Sequence, residues 1–256
     1  MVVLSEDDGG VRILTFNRPE RLNALTDEMG RRYFDLLEEA ERDPAVRVVV
    51  VTGAGKGFCA GADFEALAAI QAGEHTREPD PRPATFPLTL RKPVIAAVNG
   101  ACAGLGIVQA LVCDLVFTAD DAKWTTAFVR RGLIAEYALA WILPKLAGQA
   151  RAMDLLLSGR VFTGSEAHQM GLACRAVPGE RLREETLAYA RELATWCSPA
   201  SMAVIKRQLW SDWSVPLDQA RDTADQLMRE SFKRPDFVEG VASFVERRPP
   251  AFPPLS

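Results

Sequence analysis

The order of apolar segments in the sequence predicts an α/β fold. Two β-branched or small apolar runs, 46–52 and 93–98, indicate buried strands. A helical pattern over 26–42 precedes the first run, and a small, apolar helical segment over 103–112 follows the second. A third strand is predicted over 113–118. Strand, turn, helix and strand in this succession are typical of an α/β core.

The first elements are predicted from alternation and capping. Residues 11–16 alternate apolar and polar side chains, which indicates a strand that ends at Asn17-Arg18-Pro19. Thr26 is placed to cap the helix over 26–42, and Asp43-Pro44 is placed to end it. The apolar side chains on one stripe of that helix are Met29, Tyr33, Leu36, Leu37 and Ala40.

The second half of the chain is predicted to be mostly helical. Residues 73–87 contain four prolines and several charges, and we expect an irregular segment there that serves as a lid or a pocket wall. From about residue 142 onward the pattern is helical. Apolar residues recur at helical spacing over 217–232, and again over 237–245 after Pro235, which is placed at a helix start.

Composition excludes several function classes. The chain has 256 residues, of which 48% are hydrophobic, and a net charge of −4, so no basic field favours nucleic acid or an anionic membrane. No apolar run reaches the roughly 18 residues of a spanning helix, and the N-terminus has no signal-peptide pattern. The five cysteines, an odd number without a CxxC motif, favour a reduced, cytoplasmic compartment. Two histidines leave little material for a zinc site or a Ser-His-Asp triad, and no metal is expected.

Two glycine-bearing turns are the candidate functional elements. One spans residues 58–63 and the other 99–106, and each lies between a predicted strand and a helix. Small residues let a ligand approach main-chain N–H groups there. Two such groups pointing at one thioester oxygen would form an oxyanion hole, in which one donor contributes about 3 kcal/mol. Either turn alone is more often only a tight connection, and neither matches a phosphate-binding loop.

The same segments carry a resemblance to a known family, collinear over nearly the whole chain. The motif 17–25 (NRPERLNAL) and the two glycine turns resemble those of the crotonase superfamily, the enoyl-CoA hydratase/isomerase type. Residues 157–160, 167–172, 239–240 and 244–252 resemble its later motifs. The resemblance implies a spiral of ββα units over 1–195 with an acyl-CoA site, and a helical region over 196–256 that supports homotrimers, often paired into hexamers. It implies no cofactor other than the coenzyme A of the substrate.

The resemblance also implies a set of site residues. The thioester oxygen would lie between the N–H groups of Ala60 and Gly104, and Ala60, Gly61, Ala62 and Asp63 would line the coenzyme A path. Asp63 is expected to cap the following helix rather than act as a base. Charge alone makes Arg18, Arg21 and Lys56 candidate phosphate partners.

The sequence departs from the family where a hydratase needs two glutamates. Those positions are Val108 and Phe128 here, and neither side chain carries a proton or orders a water. Glu136 aligns with an acid of several isomerases in the family. A single carboxylate is sufficient to move a proton between two carbons. An apolar wall of Val108, Phe128, Ile134 and Trp141 would raise the pKa of Glu136 and exclude water, with Phe128 and Trp141 contacting the substrate.

Four functions therefore remain open at this point. The preferred one is double-bond isomerisation or a related proton transfer with Glu136 as the base. The alternatives are a hydratase with displaced acids, an acyl-CoA-binding protein without chemistry, and thioester hydrolysis. No feature of the sequence supports the last of these. Glu136 could also be an exposed loop acid beside Arg130 or Arg131.

Overall fold

The computed structural model describes residues 1–74 and 80–255. Within them, the strands are β1 (Val3–Asp8), β2 (Val11–Phe16), β3 (Val48–Gly53), β4 (Gly57–Cys59), β5 (Val94–Val98), β6 (Ala101–Ala103), β7 (Leu115–Ala119), β8 (Lys123–Thr125), β9 (Phe162–Thr163) and β10 (Arg175–Val177). The helices are α1 (Asp27–Arg42), α2 (Phe64–Gln71), α3 (Leu105–Leu111), α4 (Leu139–Ala147), α5 (Gln149–Ser158), α6 (Gly164–Gln169), α7 (Gly179–Trp196), α8 (Pro199–Asp212), α9 (Leu217–Ser231) and α10 (Pro235–Glu246).

The strands form two sheets. The larger has the order β1-β2-β3-β5-β7-β10 and is parallel except for the β1–β2 hairpin. The smaller has the order β4-β6-β8-β9. Successive units place one strand in the larger sheet and the next in the smaller, as in β3-β4-α2 and β5-β6-α3. This alternation confirms the predicted spiral of ββα units.

The predicted early elements are confirmed, and the second half is mostly helical, as predicted, with two short strands that were not predicted. Helix α1 begins after Thr26, whose side-chain oxygen accepts from the N–H of Met29 at 3.2 Å. Beyond residue 142, however, β9 joins the smaller sheet and β10 joins the larger one. Strand β1 was also missed, because its side chains are mostly polar and exposed. Of the proline-rich segment 73–87, residues 75–79 lie outside the described residues.

The core lies between the sheets and the helices that cover them. Strand β5 is buried at every position, as expected for a parallel strand covered on both faces. The rings of Phe16, Tyr33 and Phe58 pack edge to face, with centroids 5.1 and 5.6 Å apart around Phe16. Burial of each such ring stabilises the fold by roughly 2–3 kcal/mol. This cluster fixes α1 and β4 to the larger sheet, directly behind the first glycine turn.

Helix α8, the first of the last three helices, is attached to the core by a buried ion pair. Lys206 of α8 lies 2.8 Å from the carboxylate of Asp114 and also donates to the carbonyl of Pro87 at 3.0 Å. Helices α9 and α10 have largely exposed apolar side chains, including Phe244 at 84%. The division into a core to residue 195 and a separate oligomerisation region stays a prediction. Among the described residues, no helix is both long and apolar enough to cross a membrane.

Candidate active site

Two adjoining cavities meet at the glycine turns. The first, here the turn cavity, has a volume of about 250 Å³ and is lined by both turns, Phe128, Arg131 and Glu136. The second, here the helix cavity, has a volume of about 340 Å³ and extends toward α1, with Tyr33, Phe34 and Gln109 in its wall. Ala62, Leu105 and Glu136 line both cavities.

The first turn is held by main-chain hydrogen bonds from the segment before α1. The N–H of Ala60 donates to the carbonyl of Leu22 at 3.0 Å. Leu25 then forms a one-residue parallel bridge with Ala62: its N–H donates to Gly61 at 2.7 Å and its carbonyl accepts from Asp63 at 3.0 Å. The sharp turn between these bonds requires φ of +108° at Gly61, which a residue without a Cβ adopts readily.

Asn23 holds the Leu22 segment in place. Its side chain is fully buried, and its Nδ2 donates to the carbonyls of Ala54 at 3.0 Å and Gly57 at 2.7 Å. Its Oδ1 accepts from the N–H of Arg18 at 2.8 Å. Asn23 has φ of +57°, a left-handed conformation that asparagine tolerates better than most residues. The motif 17–25 therefore acts as a support for the first turn.

The second turn is held by the smaller sheet and by close packing. The N–H of Gly104 donates to the carbonyl of Thr125 at 3.1 Å. Two residues later, a Cβ on Gly106 would lie only 1.9 Å from the carbonyl oxygen of Cys59. Glycine at 106 thus permits α3 to lie directly against β4. A Cβ on Gly61 would lie 3.9 Å from the nitrogen of Leu105, so the two turns are in contact.

The structure corrects the predicted pair of main-chain donors. The N–H groups of Ala60 and Gly104 both donate to carbonyl oxygens, so the prediction that these two hold a thioester oxygen is wrong. Among the hydrogen bonds of residues 1–74 and 80–255, none uses the N–H of Ala62 or of Leu105. Both residues line the two cavities. The available donors are therefore those of Ala62 and Leu105, each one or two positions after the predicted residue.

Glu136 lies where the two cavities meet. Its side chain is partly buried, and no ion pair or side-chain hydrogen bond to it is found within the described part of the chain. Burial raises the pKa of its carboxyl above the ordinary value of 4.5. The chain turns into α4 directly after it through Tyr137 and Ala138, which have φ of +51° and +63°. Such left-handed residues cost roughly 1 kcal/mol each and occur often at functional sites.

The predicted apolar wall is only partly present. Phe128 lines the turn cavity and is 5% exposed, whereas Val108 is buried and lines neither cavity. Ile134 is 79% exposed. Trp141 also lies away from both cavities, where its ring packs 5.2 Å from that of Trp213. In this chain the burial of Glu136 therefore comes from the cavity walls and not from Ile134 or Trp141.

The three predicted phosphate partners lie in different surroundings. The guanidinium of Arg18 donates to the carbonyl of Ala24 at 2.6 Å and to the carboxylate of Asp63 at 2.8 Å. It is therefore bonded to groups within the protein. Arg21 is exposed, lines the turn cavity and pairs loosely with Glu65 at 3.4 Å. Lys56 is exposed and lines neither cavity. Of the three, only Arg21 lines the turn cavity.

Asp63 is held as a charged cap and not as a base. Its Oδ1 accepts from the N–H of Glu65 at 3.0 Å, as expected for a residue that caps α2. Burial raises the pKa of its carboxyl, but the hydrogen bonds from Arg18 and Glu65 outweigh burial and leave the pKa lowered. A carboxylate that is already paired and so readily ionised is a poor proton acceptor.

Sequence reasoning thus located the cavity but missed four residues that shape this site. The turn cavity brings together the predicted residues Arg21, Ala60, Gly61, Ala62, Asp63, Gly104, Phe128 and Glu136. It was not foreseen that Leu105 supplies an open N–H, that Asn23 supports the first turn, or that Tyr33 and Gln109 line the helix cavity. Tyr33 and Gln109 occur in apolar helical stripes, where the pattern indicates only core. No group of three metal-ligating side chains is found among residues 1–74 and 80–255; His75 lies outside them.

The chain is similar to proteins that act on coenzyme A thioesters. The family model described as Enoyl-CoA hydratase/isomerase matches residues 6–254. The 1,2-epoxyphenylacetyl-CoA isomerase of Escherichia coli K12 is 38% identical over 98% of this chain and 97% of its own. The probable enoyl-CoA hydratase EchA12 of Mycobacterium tuberculosis H37Rv is 34% identical over 93% of this chain and 88% of its own.

Solved structures agree with these relatives. A probable enoyl-CoA hydratase/isomerase from Mycobacterium abscessus superposes with a TM-score of 0.89 at 34% identity, over 99% of both chains. A fold match of this extent, together with a family match that covers nearly the whole sequence, includes both glycine turns and Glu136. The chain therefore belongs to the enoyl-CoA hydratase/isomerase family of the crotonase superfamily.

Proposed function

We propose that this chain is an enoyl-CoA isomerase, or an enzyme of a closely related proton transfer, with Glu136 as its base. The observation that carries the proposal is the placement of one unpaired carboxyl in the same cavity as two unpaired main-chain donors. Glu136, Ala62 and Leu105 line both cavities. An acyl-CoA bound with its thioester oxygen at the two N–H groups would have its reacting carbons beside the carboxyl.

The proposed reaction moves one proton between two carbons. The carboxylate of Glu136 takes the proton from the carbon next to the thioester of a 3-enoyl-CoA, and the electron pair moves onto the thioester oxygen. The N–H groups of Ala62 and Leu105 stabilise this enolate, with about 3 kcal/mol from each donor. Glu136 then returns the proton to the far end of the conjugated system, and the product is the 2-enoyl-CoA. Coenzyme A enters as part of the substrate, and no separate cofactor is proposed.

A raised pKa suits Glu136 for this role. A base works best when the pKa of its acid form is close to the operating pH, because the group must both accept and return a proton. Burial moves the pKa of Glu136 in that direction. The name of the Escherichia coli relative, an isomerase of an acyl-CoA, also supports a reaction in which no group is added or removed.

Hydration is the second candidate, because several relatives are named as hydratases. Addition of water across a double bond requires groups that hold and activate the water as well as protonate the carbon. Val108 and Phe128 stand where the family's hydratases have their glutamates, and Phe128 presents a ring to the turn cavity. A hydratase would therefore need Glu136 and a displaced second acid.

One set of assays separates these functions. Purified enzyme would be given 3-hexenoyl-CoA, crotonyl-CoA and hexanoyl-CoA, with Glu136→Gln as the test variant and Glu74→Gln, at a position that lines neither cavity, as the control. We expect conversion of 3-hexenoyl-CoA and its loss in Glu136→Gln only. Isomerisation that survives Glu136→Gln would overturn the proposal. Water addition to crotonyl-CoA would favour the hydratase, and binding of all three thioesters without turnover would favour a non-catalytic protein.

We also propose that the chain assembles into a homotrimer or a dimer of trimers. The support is the exposed apolar surface of α10 together with the end of α9, which comprises Phe232, directly after α9, and Phe237, Val238, Val241, Phe244 and Val245 of α10. A patch of this kind on a free chain indicates an interaction surface. Sedimentation analysis of the wild type and of Phe244→Glu tests this proposal. A wild-type chain that remains monomeric at micromolar concentration would contradict it.

A further inference from the structure

The wall of the turn cavity includes an arginine whose charge is not paired. Arg131 ends a short 3₁₀ helix, Val129–Arg131, is exposed, and lines this cavity. Within residues 1–74 and 80–255, no side-chain hydrogen bond or ion pair holds its guanidinium. A guanidinium presents five N–H donors in a planar fork, which matches the oxygens of a carboxylate or a phosphate.

The neighbouring Arg130 points elsewhere, so the position of Arg131 is specific. Arg130 donates to the carbonyl of Ser158 at 3.0 Å and lines neither cavity. Arg131 follows Phe128 by three residues, and side chains at this spacing eclipse each other on a 3₁₀ helix. The ring of Phe128 would lie 3.9 Å from a Cβ on Gly104. Arg131 therefore lies on the face that borders the second turn, at the opening of the turn cavity.

A second guanidinium lies at the same opening, beside the first turn. Arg21 is exposed and lines the turn cavity, and its ion pair with the exposed Glu65 is long, at 3.4 Å. The next residue, Leu22, accepts the N–H of Ala60 in the first turn. The opening thus has one arginine at each turn.

The carboxyl groups of the turn cavity do not neutralise these two arginines. Asp63 is bonded to Arg18 at 2.8 Å. Burial alone raises the pKa of Glu136, whereas a guanidinium in contact with that carboxyl would lower its pKa. The guanidinium of Arg131 is therefore available to a ligand and does not pair with the proposed base.

The helix cavity has a different charge pattern. Its described wall includes three acids, Asp27, Asp80 and Glu136, and two cations, Arg31 and Arg82. Acids outnumber cations there, so an anionic group of a ligand is less favoured in the helix cavity than at the opening with its two arginines. Coenzyme A carries its negative charges on phosphates, and a plain acyl group carries none. The charges therefore favour one orientation, with the acyl group toward the helix cavity and the phosphates at the opening of the turn cavity.

We propose that Arg131, together with Arg21, binds the diphosphate of coenzyme A at this opening. The inference rests on the proposed function, because it takes the thioester to lie at Ala62 and Leu105. Along coenzyme A, the diphosphate is the phosphate group nearer to the thioester, and the 3′-phosphate lies beyond it on the ribose. Parallel N–H bonds from a guanidinium fit two phosphate oxygens. Two guanidinium groups on opposite sides of the opening fix the direction in which the pantetheine arm enters.

The experiment compares three ligands that share one acyl group. They are hexanoyl-CoA, hexanoyl-dephospho-CoA, which lacks the 3′-phosphate, and hexanoyl-pantetheine, which lacks every phosphate. Dissociation constants are measured by calorimetry with wild type, Arg131→Leu and Arg131→Lys. Arg130→Leu is the matched control, since Arg130 is adjacent, exposed and equally charged but lines neither cavity.

At about 10 mM salt, we expect Arg131→Leu to bind hexanoyl-CoA and hexanoyl-dephospho-CoA about fivefold more weakly than wild type. Its affinity for hexanoyl-pantetheine should be unchanged. Arg131→Lys retains the charge and should recover part of the loss. The difference should disappear near about 1 M salt, which screens exposed charges. Arg130→Leu should change each dissociation constant by less than about twofold.

Three results would overturn the inference. Unchanged affinity of Arg131→Leu for hexanoyl-CoA would make Arg131 a solvated surface cation. An equal loss for hexanoyl-pantetheine would place its contact on the acyl group or the pantetheine arm. A loss with hexanoyl-CoA but not with hexanoyl-dephospho-CoA would place it on the 3′-phosphate.

Isomerisation of 3-hexenoyl-CoA is recorded separately, so that the two proposals can fail independently. Phosphate-dependent binding through Arg131 without isomerisation would contradict the proposed function and leave this inference standing. Isomerisation with binding that is independent of Arg131 would do the reverse.

Discussion

The carboxamide of Asn23 donates to the carbonyl oxygen of Gly57 at 2.7 Å. The two residues are 34 positions apart in the sequence, and Asn23 is 0% exposed. This bond joins the segment before α1 to the start of β4. The adjacent Leu22 carbonyl then holds the N–H of Ala60, which leaves the N–H of Ala62 open to the cavity. The position of the first donor thus depends on a side chain that does not line either cavity.

Replacing Asn23 by alanine is expected to lower the free energy of unfolding by about 3 kcal/mol, since it removes three hydrogen bonds and leaves buried partners unpaired. Chemical denaturation measures this change. Asn17→Ala is the matched control: its amide donates to Met1 at 3.0 Å near the surface, and its removal should cost less than about 0.5 kcal/mol. Equal effects of the two substitutions would contradict the role of Asn23.

Replacing Glu136 by glutamine is expected to reduce isomerase activity by about 10²–10⁴-fold without loss of stability. Stability should not fall because burial disfavours the charged form of Glu136, as its raised pKa indicates, and glutamine has no charge to bury. Thermal unfolding at several pH values measures it. Because the pKa is higher in the folded state, the variant's advantage should be absent well below pH 4.5, grow as the pH rises from about 4.5 to the folded-state pKa, and stay constant above it.

The pH dependence of kcat/KM should show one ionisation on the acidic side, above the ordinary glutamate value of 4.5. The base acts as a carboxylate, so activity is lost as the pH falls through this pKa. Glu136→Asp retains a carboxyl and should retain an acidic limb, whereas any residual activity of Glu136→Gln should lack it. An identical limb in wild type and Glu136→Gln would assign the ionisation to another group.

A Cβ at position 106 is expected to disrupt the site. In Gly106→Ala the new carbon would lie 1.9 Å from the carbonyl oxygen of Cys59, so α3 must move away from β4 and the two open N–H groups must separate. We expect a loss of several kcal/mol of stability and of acyl-CoA binding. Gly30→Ala, within α1, is the matched control: its Cβ would lie 3.8 Å from Leu25, and it should stabilise the chain by about 0.5–1 kcal/mol.

Arg18 and Arg21 should behave differently although both were candidate phosphate partners. Arg18→Leu leaves the buried carboxylate of Asp63 without its cation and should cost about 3 kcal/mol of stability. Arg21→Leu should change stability by less than about 0.5 kcal/mol, because Arg21 is exposed, and should weaken binding of coenzyme A thioesters most at low salt. Binding that is independent of salt in both wild type and Arg21→Leu would remove Arg21 from the phosphate site.

Much of the larger sheet could be predicted from the sequence because its strands are long and β-branched. The strands of the smaller sheet have only two or three residues, such as Lys123–Thr125, and no periodicity can be recognised over so short a length. The error over the two main-chain donors has a similar cause. Which N–H is open depends on the carbonyls of Leu22 and Thr125, which reach the turns from distant parts of the chain. The residue types at 60, 62, 104 and 105 carry no sign of this.

The donors at positions 62 and 105 belong to the main chain, so amino-acid substitutions during evolution affect them little. Only proline removes a main-chain N–H, so nearly every mutation at these two positions preserves the donors proposed to hold the thioester. The side chains at 108, 128 and 136, two positions where the family's hydratases have glutamates and the position of the proposed base, are mutable independently of these donors. New reactions can therefore arise in this scaffold by point substitution, and a library aimed at changing the reaction should leave Asn23 and Gly106 fixed while varying those three positions.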